Sequence, residues 1–232
     1  MKNVTVYYEQ GRFAGWPANG GIWSWGNEIL VCFTIGYYKA QEGKHSVDRE
    51  KPSEKVFARS LDGGESWSIE DASDLQKLQD REVLQGGNIN FAHPDFALIC
   101  ISPRDRFVIS YDRGRSWEGP YMFFENLEGL TSRTDYIVNG PNDCFVFLSR
   151  EVPNIESKHN DRAFCARTKD GGKTFEFLSY MTSEDDPARS VMPSTVRWYI
   201  VQLISEMRRR HDPGNIELKL KYIKDELDSS VQ

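Results

Sequence analysis

Three uninterrupted apolar runs along the chain predict buried β-strands, at residues 29–35, 96–101 and 144–148. Short apolar runs bounded by turn residues are typical of strands that are covered on both faces. Further strand-like segments flank three glycine-containing turns, at residues 56–60, 106–110, 163–168 and 175–180. The pattern therefore predicts an all-β protein built from short strands.

The three turns share one sequence pattern, in residues 60–67, 110–117 and 168–175. Each reads hydroxyl residue, x, Asp, x, Gly, x, hydroxyl residue, aromatic residue. The Asp can accept hydrogen bonds from turn amides, the Gly supplies a positive φ, and the aromatic ring can pack against the sheet. The repeats start 50 and 58 residues apart, near the ~40–50-residue period of propeller blades. We expect a structural role for the defining residues Asp62, Trp67, Asp112, Trp117, Asp170 and Phe175.

The composition agrees with an all-β chain and excludes several classes of function. Aromatic residues make up 12% of the chain beside 18 glycines, which favours short strands and tight turns over a helical bundle. No apolar stretch approaches the ~18 residues of a membrane-spanning helix. The net charge of −6 argues against binding to a phosphate backbone. Neither a membrane nor a nucleic acid is therefore expected as a partner.

The cysteine and histidine patterns do not indicate a metal site or a cofactor. The four cysteines lie in apolar runs without a Cys-x-x-Cys pair, so we expect buried free thiols rather than a zinc site or disulfides. The four histidines lack ligand-like spacing, and the sequence has no phosphate-binding loop. The first ten residues lack the apolar core of a signal peptide, which predicts a cytoplasmic protein, or a secreted or periplasmic one if a leader precedes this start.

The three turns are Asp-boxes, and the chain resembles the sialidase-like BNR/Asp-box proteins, which are six-bladed β-propellers. The resemblance covers about residues 11–197. Residues 11–19 and 22–33 resemble the opening Arg and first strand of the family, and residues 190–197 resemble the start of a later blade. The resemblance implies an exo-glycoside hydrolase that acts on terminal sialic acid or a related acidic sugar, with a glycan or sialoside as its ligand.

The resemblance also implies site residues. Arginines of the family bind the sialic acid carboxylate through bidentate hydrogen bonds, a Tyr paired with a Glu is the nucleophile, and an Asp is the general acid/base. Asp48, in the loop after the first strand, matches the acid/base Asp. Arg12 resembles the first Arg of the cluster, and Arg133 and Arg197 are placed to join it. The late blade that carries the nucleophile has no clear counterpart in the sequence.

Three further residues are predicted to contact the substrate. His93 and Asp95 directly precede an apolar strand, where they would either shape a sugar pocket or stabilise a His-Pro-Asp turn. Tyr136 follows Arg133 at the start of another strand. We expect Tyr136 to be a strand aromatic beside the site rather than the nucleophile.

Residues 198–232 form an atypical tail after the propeller region of residues 1–197. Apolar residues near helical spacing in residues 216–227 predict a C-terminal helix, which is either a capping helix or part of a disrupted blade. At this repeat spacing, 232 residues account for about four blades, whereas the family fold has six. Two alternatives to a hydrolase therefore stay open: a non-catalytic carbohydrate-binding propeller, or a truncated product that self-associates through its open edge.

Overall fold

A computed structural model describes residues 3–131, 133–152, 160–183 and 190–195 of the chain. The chain divides into two compact units, Met1–Ser194 and Thr195–Gln232. The elements described below all belong to the first unit. Arg197 and the predicted helix in the tail lie outside the described residues, so both stay predictions.

The described part of the first unit is all-β, as the apolar runs predict, and the twelve strands described in it form three antiparallel sheets. Sheet I contains β1 (Arg12–Gly15), β2 (Gly21–Trp25), β3 (Glu28–Tyr37), β4 (Glu54–Ser60) and β5 (Ser68–Asp71). Sheet II contains β6 (Ala97–Ile101), β7 (Arg106–Ser110) and β8 (Glu118–Met122). Sheet III contains β9 (Tyr136–Gly140), β10 (Asp143–Glu151), β11 (Asp161–Thr168) and β12 (Glu176–Tyr180).

Each sheet is a meander in which successive strands pair with one another. In sheet I, β1 and β2 both pair with the long strand β3 and together occupy the position of one interrupted strand. A single helical turn, α1 (Pro17–Gly20), fills the interruption. An Asp-box joins the last two strands of every sheet, so the three repeats of the sequence correspond to three equivalent hairpins.

The three Asp-boxes have the same internal hydrogen bonds. In the first box, the Ser60 hydroxyl donates to Asp62 Oδ1 at 2.8 Å. The Ser66 N–H and hydroxyl donate to the two Asp62 oxygens at 2.9 and 2.6 Å. Asp112 and Asp170 receive the equivalent bonds in the other two boxes. Each carboxylate thus organises its own turn, which is the arrangement that the repeated residue types predict.

Sheet II is buried on both faces because it packs between sheets I and III. Along β6, Ala97, Ile99 and Ile101 enter an apolar cluster shared with sheet I, and Leu98 and Cys100 enter one shared with sheet III. Successive side chains of a strand point to opposite faces. A strand covered on both sides must therefore be apolar at every position, which explains the continuous run 96–101.

A second short helix, α2 (Ser73–Gln79), follows β5 and contributes Leu75 and Leu78 to the core between sheets I and II. The Asp71 carboxylate accepts hydrogen bonds from the N–H and hydroxyl of Ser73 and so supports the helix start. Two apolar positions in seven residues are too few for a helical period to be visible in the sequence. No helix among the described residues is long and apolar enough to cross a bilayer.

Candidate functional site

The predicted site residues lie at two different ends of the sheets. We call the end that carries the Asp-boxes the box end and the other the far end. Arg12 begins β1 at the far end, and Asp48 lies in the far-end connection between β3 and β4. Arg133 precedes β9 and Tyr136 begins it, also at the far end.

Asp48 is 8% exposed and is held by its own loop. Its backbone N–H donates to the Tyr37 carbonyl at 2.8 Å, and its Oδ1 accepts the Glu50 N–H at 3.2 Å. The ammonium groups of Lys39 and Lys51 lie 3.4 and 3.9 Å from the two carboxylate oxygens. The side chain is therefore fixed in position at the far end and faces two exposed cations.

Arg12 connects to the same group through an aromatic ring. Its guanidinium carbon lies 4.6 Å from the centroid of the Tyr37 ring, its cross-strand partner. The Lys51 ammonium lies 5.0 Å from the same centroid. Cations are attracted to the negative face of an aromatic ring. The structure thus brings Arg12 and Asp48 into one group of side chains around Tyr37, which we call the Tyr37 cluster (Arg12, Tyr37, Asp48 and Lys51).

A hydrogen-bonded Tyr–Glu pair adjoins this cluster and has no motif that would have identified it in the sequence. The Tyr7 hydroxyl donates to Glu9 Oε2 at 2.7 Å and also interacts with Arg12. Burial of Tyr7, followed by its hydrogen bond to Glu9 and the Glu9 charge, raises the Tyr7 pKa. The phenol is thus held in its neutral form beside a carboxylate. Arg12 also forms an ion pair with Glu54 at 3.3 Å.

Arg133 lies at the edge of the sheets rather than in the Tyr37 cluster. Its guanidinium donates to the Asn19 side chain in α1 and to the Thr131 carbonyl. The next residue, Thr134, accepts the Cys100 N–H of β6 at 2.9 Å. Arg133 therefore links α1 of sheet I to the segment that enters sheet III.

Tyr136 is part of the packing between the sheets. Its hydroxyl accepts the Leu98 N–H of β6 at 3.3 Å and interacts with Trp23. Burial raises the pKa of Tyr136 well above its ordinary value. These contacts are those of the strand aromatic that the sequence predicts.

His93 and Asp95 lie at the box end and are not brought together with Arg12 and Asp48. Asp95 Oδ1 accepts from Arg113 Nε of the second Asp-box at 2.6 Å. The Asp95 N–H donates to His93 Nδ1 at 3.2 Å, and the His93 ring packs edge-on against Tyr111 at 5.1 Å. The two residues stabilise the turn before β6, which is the second of the two roles that the sequence allows.

A buried carboxylate, Glu28, joins sheets I and II at the box end and was missed by sequence reasoning. It accepts from Arg59 Nη1 at 2.7 Å, Arg113 Nη1 at 2.8 Å and Arg115 Nη2 at 2.7 Å. Burial raises the pKa of Glu28, but the hydrogen bonds from the three arginines outweigh it and hold the pKa below its ordinary value. The partners are up to 87 residues apart in sequence, so no local pattern identifies them.

A cleft of about 300 Å³ lies beside the turn between β6 and β7, at the far end of sheet II. Its lining includes Asp105, Glu125 and Glu128 beside Phe124 and Leu127. Three carboxylates would repel an anionic sugar, so this cleft does not fit the predicted substrate. Among the described residues, no group of three or more His, Cys, Asp or Glu side chains could hold a metal ion.

Comparison with known proteins supports the fold and gives no information about function. No family model matches the chain, and no curated protein matches it. A crystal structure of a protein of unknown function from Dyadobacter fermentans DSM 18053 is similar, with a TM-score of 0.50 and 16% identity. The match covers 78% of this chain and 58% of that protein. The chain thus spans little more than half the length of this structural neighbour.

Proposed function

We propose that the three sheets are blades of a sialidase-type β-propeller. Each is an antiparallel meander with an Asp-box between its last two strands. The aromatic residues of the boxes support the idea that successive sheets pack on one another in the same way. Trp117 of sheet II packs against the apolar cluster between sheets I and II. Phe175 of sheet III belongs to the apolar cluster between sheets II and III. Trp67 of sheet I packs on the face away from sheet II, where a preceding blade would lie.

We propose that the chain is a glycoside hydrolase that acts on a terminal acidic sugar, of the sialic acid type, at the far end of sheet I. The observation that carries this proposal is the Tyr37 cluster, in which Arg12 and Asp48 lie together away from the Asp-boxes. Arg12 would bind the sugar carboxylate through its fork of N–H donors. Asp48 would act as general acid/base.

The remaining roles are assigned by chemistry. Tyr7 is a neutral phenol beside the Glu9 carboxylate, which is the pairing that a Tyr nucleophile needs when the substrate is an anion. We place it as the candidate nucleophile, on the segment before β1 that packs against sheet I rather than on the late blade that the resemblance implies. Arg133 would be a second contact to the acidic sugar, reached across α1.

The test is hydrolysis of a fluorogenic sialoside by the wild type and by Asp48→Asn and Tyr7→Phe. Removing a general acid/base reduces the rate about 10²–10⁴-fold, and we expect a loss of that order in Asp48→Asn. Tyr7→Phe removes the candidate nucleophile and should also lose most of the activity. Glu50→Gln is the matched control, because Glu50 lies in the same loop, contacts the same Lys39 and is 85% exposed. Equal rates for Asp48→Asn and Glu50→Gln would rule out the catalytic role of Asp48.

A second candidate function, glycan binding without hydrolysis, is favoured by the contacts of Asp48. Its carboxylate is occupied by Lys39, Lys51 and the Glu50 N–H, and both lysines would have to move before Asp48 could donate a proton. In that case the wild type binds sialosides in calorimetry but releases no fluorophore. Binding that is lost in Arg12→Gln would then assign the same cluster to recognition alone.

A further inference from the structure

Three aromatic rings meet along β1 of sheet I, which runs from the far end into α1. The Phe13 and Trp16 ring centroids are 4.9 Å apart, and the His45 ring meets Trp16 edge-on at 5.2 Å. Phe13 and Trp16 are half-buried and His45 is exposed. We call these three residues the Trp16 group. They lie outside the three apolar clusters of the core, so core packing does not account for them.

The backbone of Trp16 is in a conformation that a bulky residue rarely adopts. Its φ and ψ are 60° and 42°, in the left-handed region, where non-glycine residues cost free energy. Gly15 provides space for the adjacent ring, since a Cβ there would lie 2.6 Å from the Phe13 ring. Backbone strain of this kind concentrates at ligand-binding segments. Here it places the Trp16 ring beside His45 at the surface.

The Trp16 group is connected to both parts of the proposed site. Phe13 follows Arg12 on β1, and His45 lies in the same loop as Asp48. On the other side, Asn19, three residues after Trp16, accepts a hydrogen bond from Arg133. Arg12 and Phe13 point to opposite faces of β1, which is an edge strand of sheet I, so a ligand bound at Arg12 would reach the Trp16 group around that edge.

We propose that the Trp16 group is the stacking surface for a neutral sugar ring that adjoins the acidic sugar in the glycan. The proposal rests on the proposed function, because it places both rings of one ligand around β1 of sheet I, the acidic ring at Arg12 and the neutral ring at Trp16. A pyranose ring has an apolar face of C–H groups, whose positive hydrogens are attracted to the negative face of an aromatic ring. Partly exposed aromatic side chains at the mouth of a polar site are suited to this contact.

The experiment compares two ligands that resist hydrolysis: a methyl α-thiosialoside, which has only the acidic sugar, and an S-linked sialyllactose, which adds two neutral sugars. We expect the wild type to bind the longer ligand about three- to tenfold more tightly, the range of one aromatic stacking contact. Trp16→Ala should abolish this gain, and His45→Ala should reduce it. Leu61→Ala is the control, because Leu61 is 68% exposed at the box end of the same sheet and should keep the full gain.

The results separate the two proposals. If both ligands bind the wild type equally, the Trp16 group does not hold a sugar, while the proposed function stands. If Trp16→Ala has the wild-type circular dichroism spectrum and still binds the longer ligand more tightly than the shorter one, the stacking surface is also refuted. If neither acidic ligand binds, the proposed function fails. Lactose alone then decides: a shift of the 5-fluoro-Trp16 resonance supports the stacking surface, and an unchanged resonance refutes it.

Discussion

Glu28→Gln tests how sheets I and II are held together at the box end. The carboxylate of Glu28, 8% exposed, accepts three guanidinium hydrogen bonds of 2.7–2.8 Å. Two of these come from Arg113 and Arg115 of the second Asp-box, and the third comes from Arg59, which is also paired with Glu70. The substitution removes the negative charge and leaves the shape of the side chain almost unchanged.

The expected cost follows from the burial of the groups. Removing one partner of a buried ion pair costs about 3–5 kcal/mol. Gln keeps one acceptor oxygen, and the Arg113 and Arg115 side chains are 37% and 51% exposed, so solvent screens part of the uncompensated charge. We therefore expect the free energy of unfolding to fall by about 2–4 kcal/mol.

The assay is urea unfolding followed by tryptophan fluorescence. Trp23 and Trp117 lie 6.0 Å apart in the core between sheets I and II, so they report on the interface that Glu28 supports. Asp74→Asn is the control, because Asp74 pairs with Lys77 on the surface of α2 with both side chains mostly exposed. It should unfold at the wild-type urea concentration. A Glu28→Gln variant that also unfolds there would refute the argument that this network stabilises the interface.

Two further predictions concern the Asp-boxes. Hydrogen bonds within each turn lower the pKa of all three box carboxyls, Asp62, Asp112 and Asp170; for the last two they outweigh the opposing effect of burial. The folded state therefore binds protons more weakly than the unfolded state, so the ionised box carboxylates contribute to the free energy of unfolding. This contribution is complete above about pH 4 and is lost as the pH falls further. A urea unfolding midpoint that does not change between pH 6 and pH 3 would contradict it. Gly86→Ala places a Cβ 2.0 Å from the Gly172 carbonyl oxygen of the third box and should lower the free energy of unfolding by about 1–3 kcal/mol. Gly140→Ala, whose Cβ meets only Asp143 Cβ at 3.7 Å, is the control, and equal melting temperatures for the two variants would contradict the clash.

The Asp-box hairpins and the strands beside them could be predicted because their interactions are local. The bonds to Asp62 come from Ser60 and Ser66, two and four residues away. A pattern of eight residues therefore contains almost all the chemistry of the turn. The apolar run 96–101 is equally informative, because burial of β6 on both faces leaves no position for a polar side chain.

The candidate site could be predicted only in part. The resemblance to Asp-box proteins named Asp48 and Arg12 as candidates, but no sequence pattern predicted the strand β1 that Arg12 begins. The ring of Tyr37 that connects them depends on the register of β1 against β3, in which Arg12 faces Tyr37 across 25 residues. The pair Tyr7–Glu9 and the Glu28 network have no sequence signal, because residue types alone do not show which side chains meet.

His93 and Asp95 show most clearly what the tertiary structure decided. The sequence places them directly before an apolar strand, and any such position is a candidate for a binding loop. In an antiparallel meander, successive strands run in opposite directions, so the start of one strand lies at the end where the previous strand stops. β6 begins at the box end, as β3 and β10 do, whereas β1 and β9 begin at the far end. The turn that contains His93 and Asp95 could be predicted from the sequence. The end of the sheet at which this turn lies depends on the order and pairing of the strands.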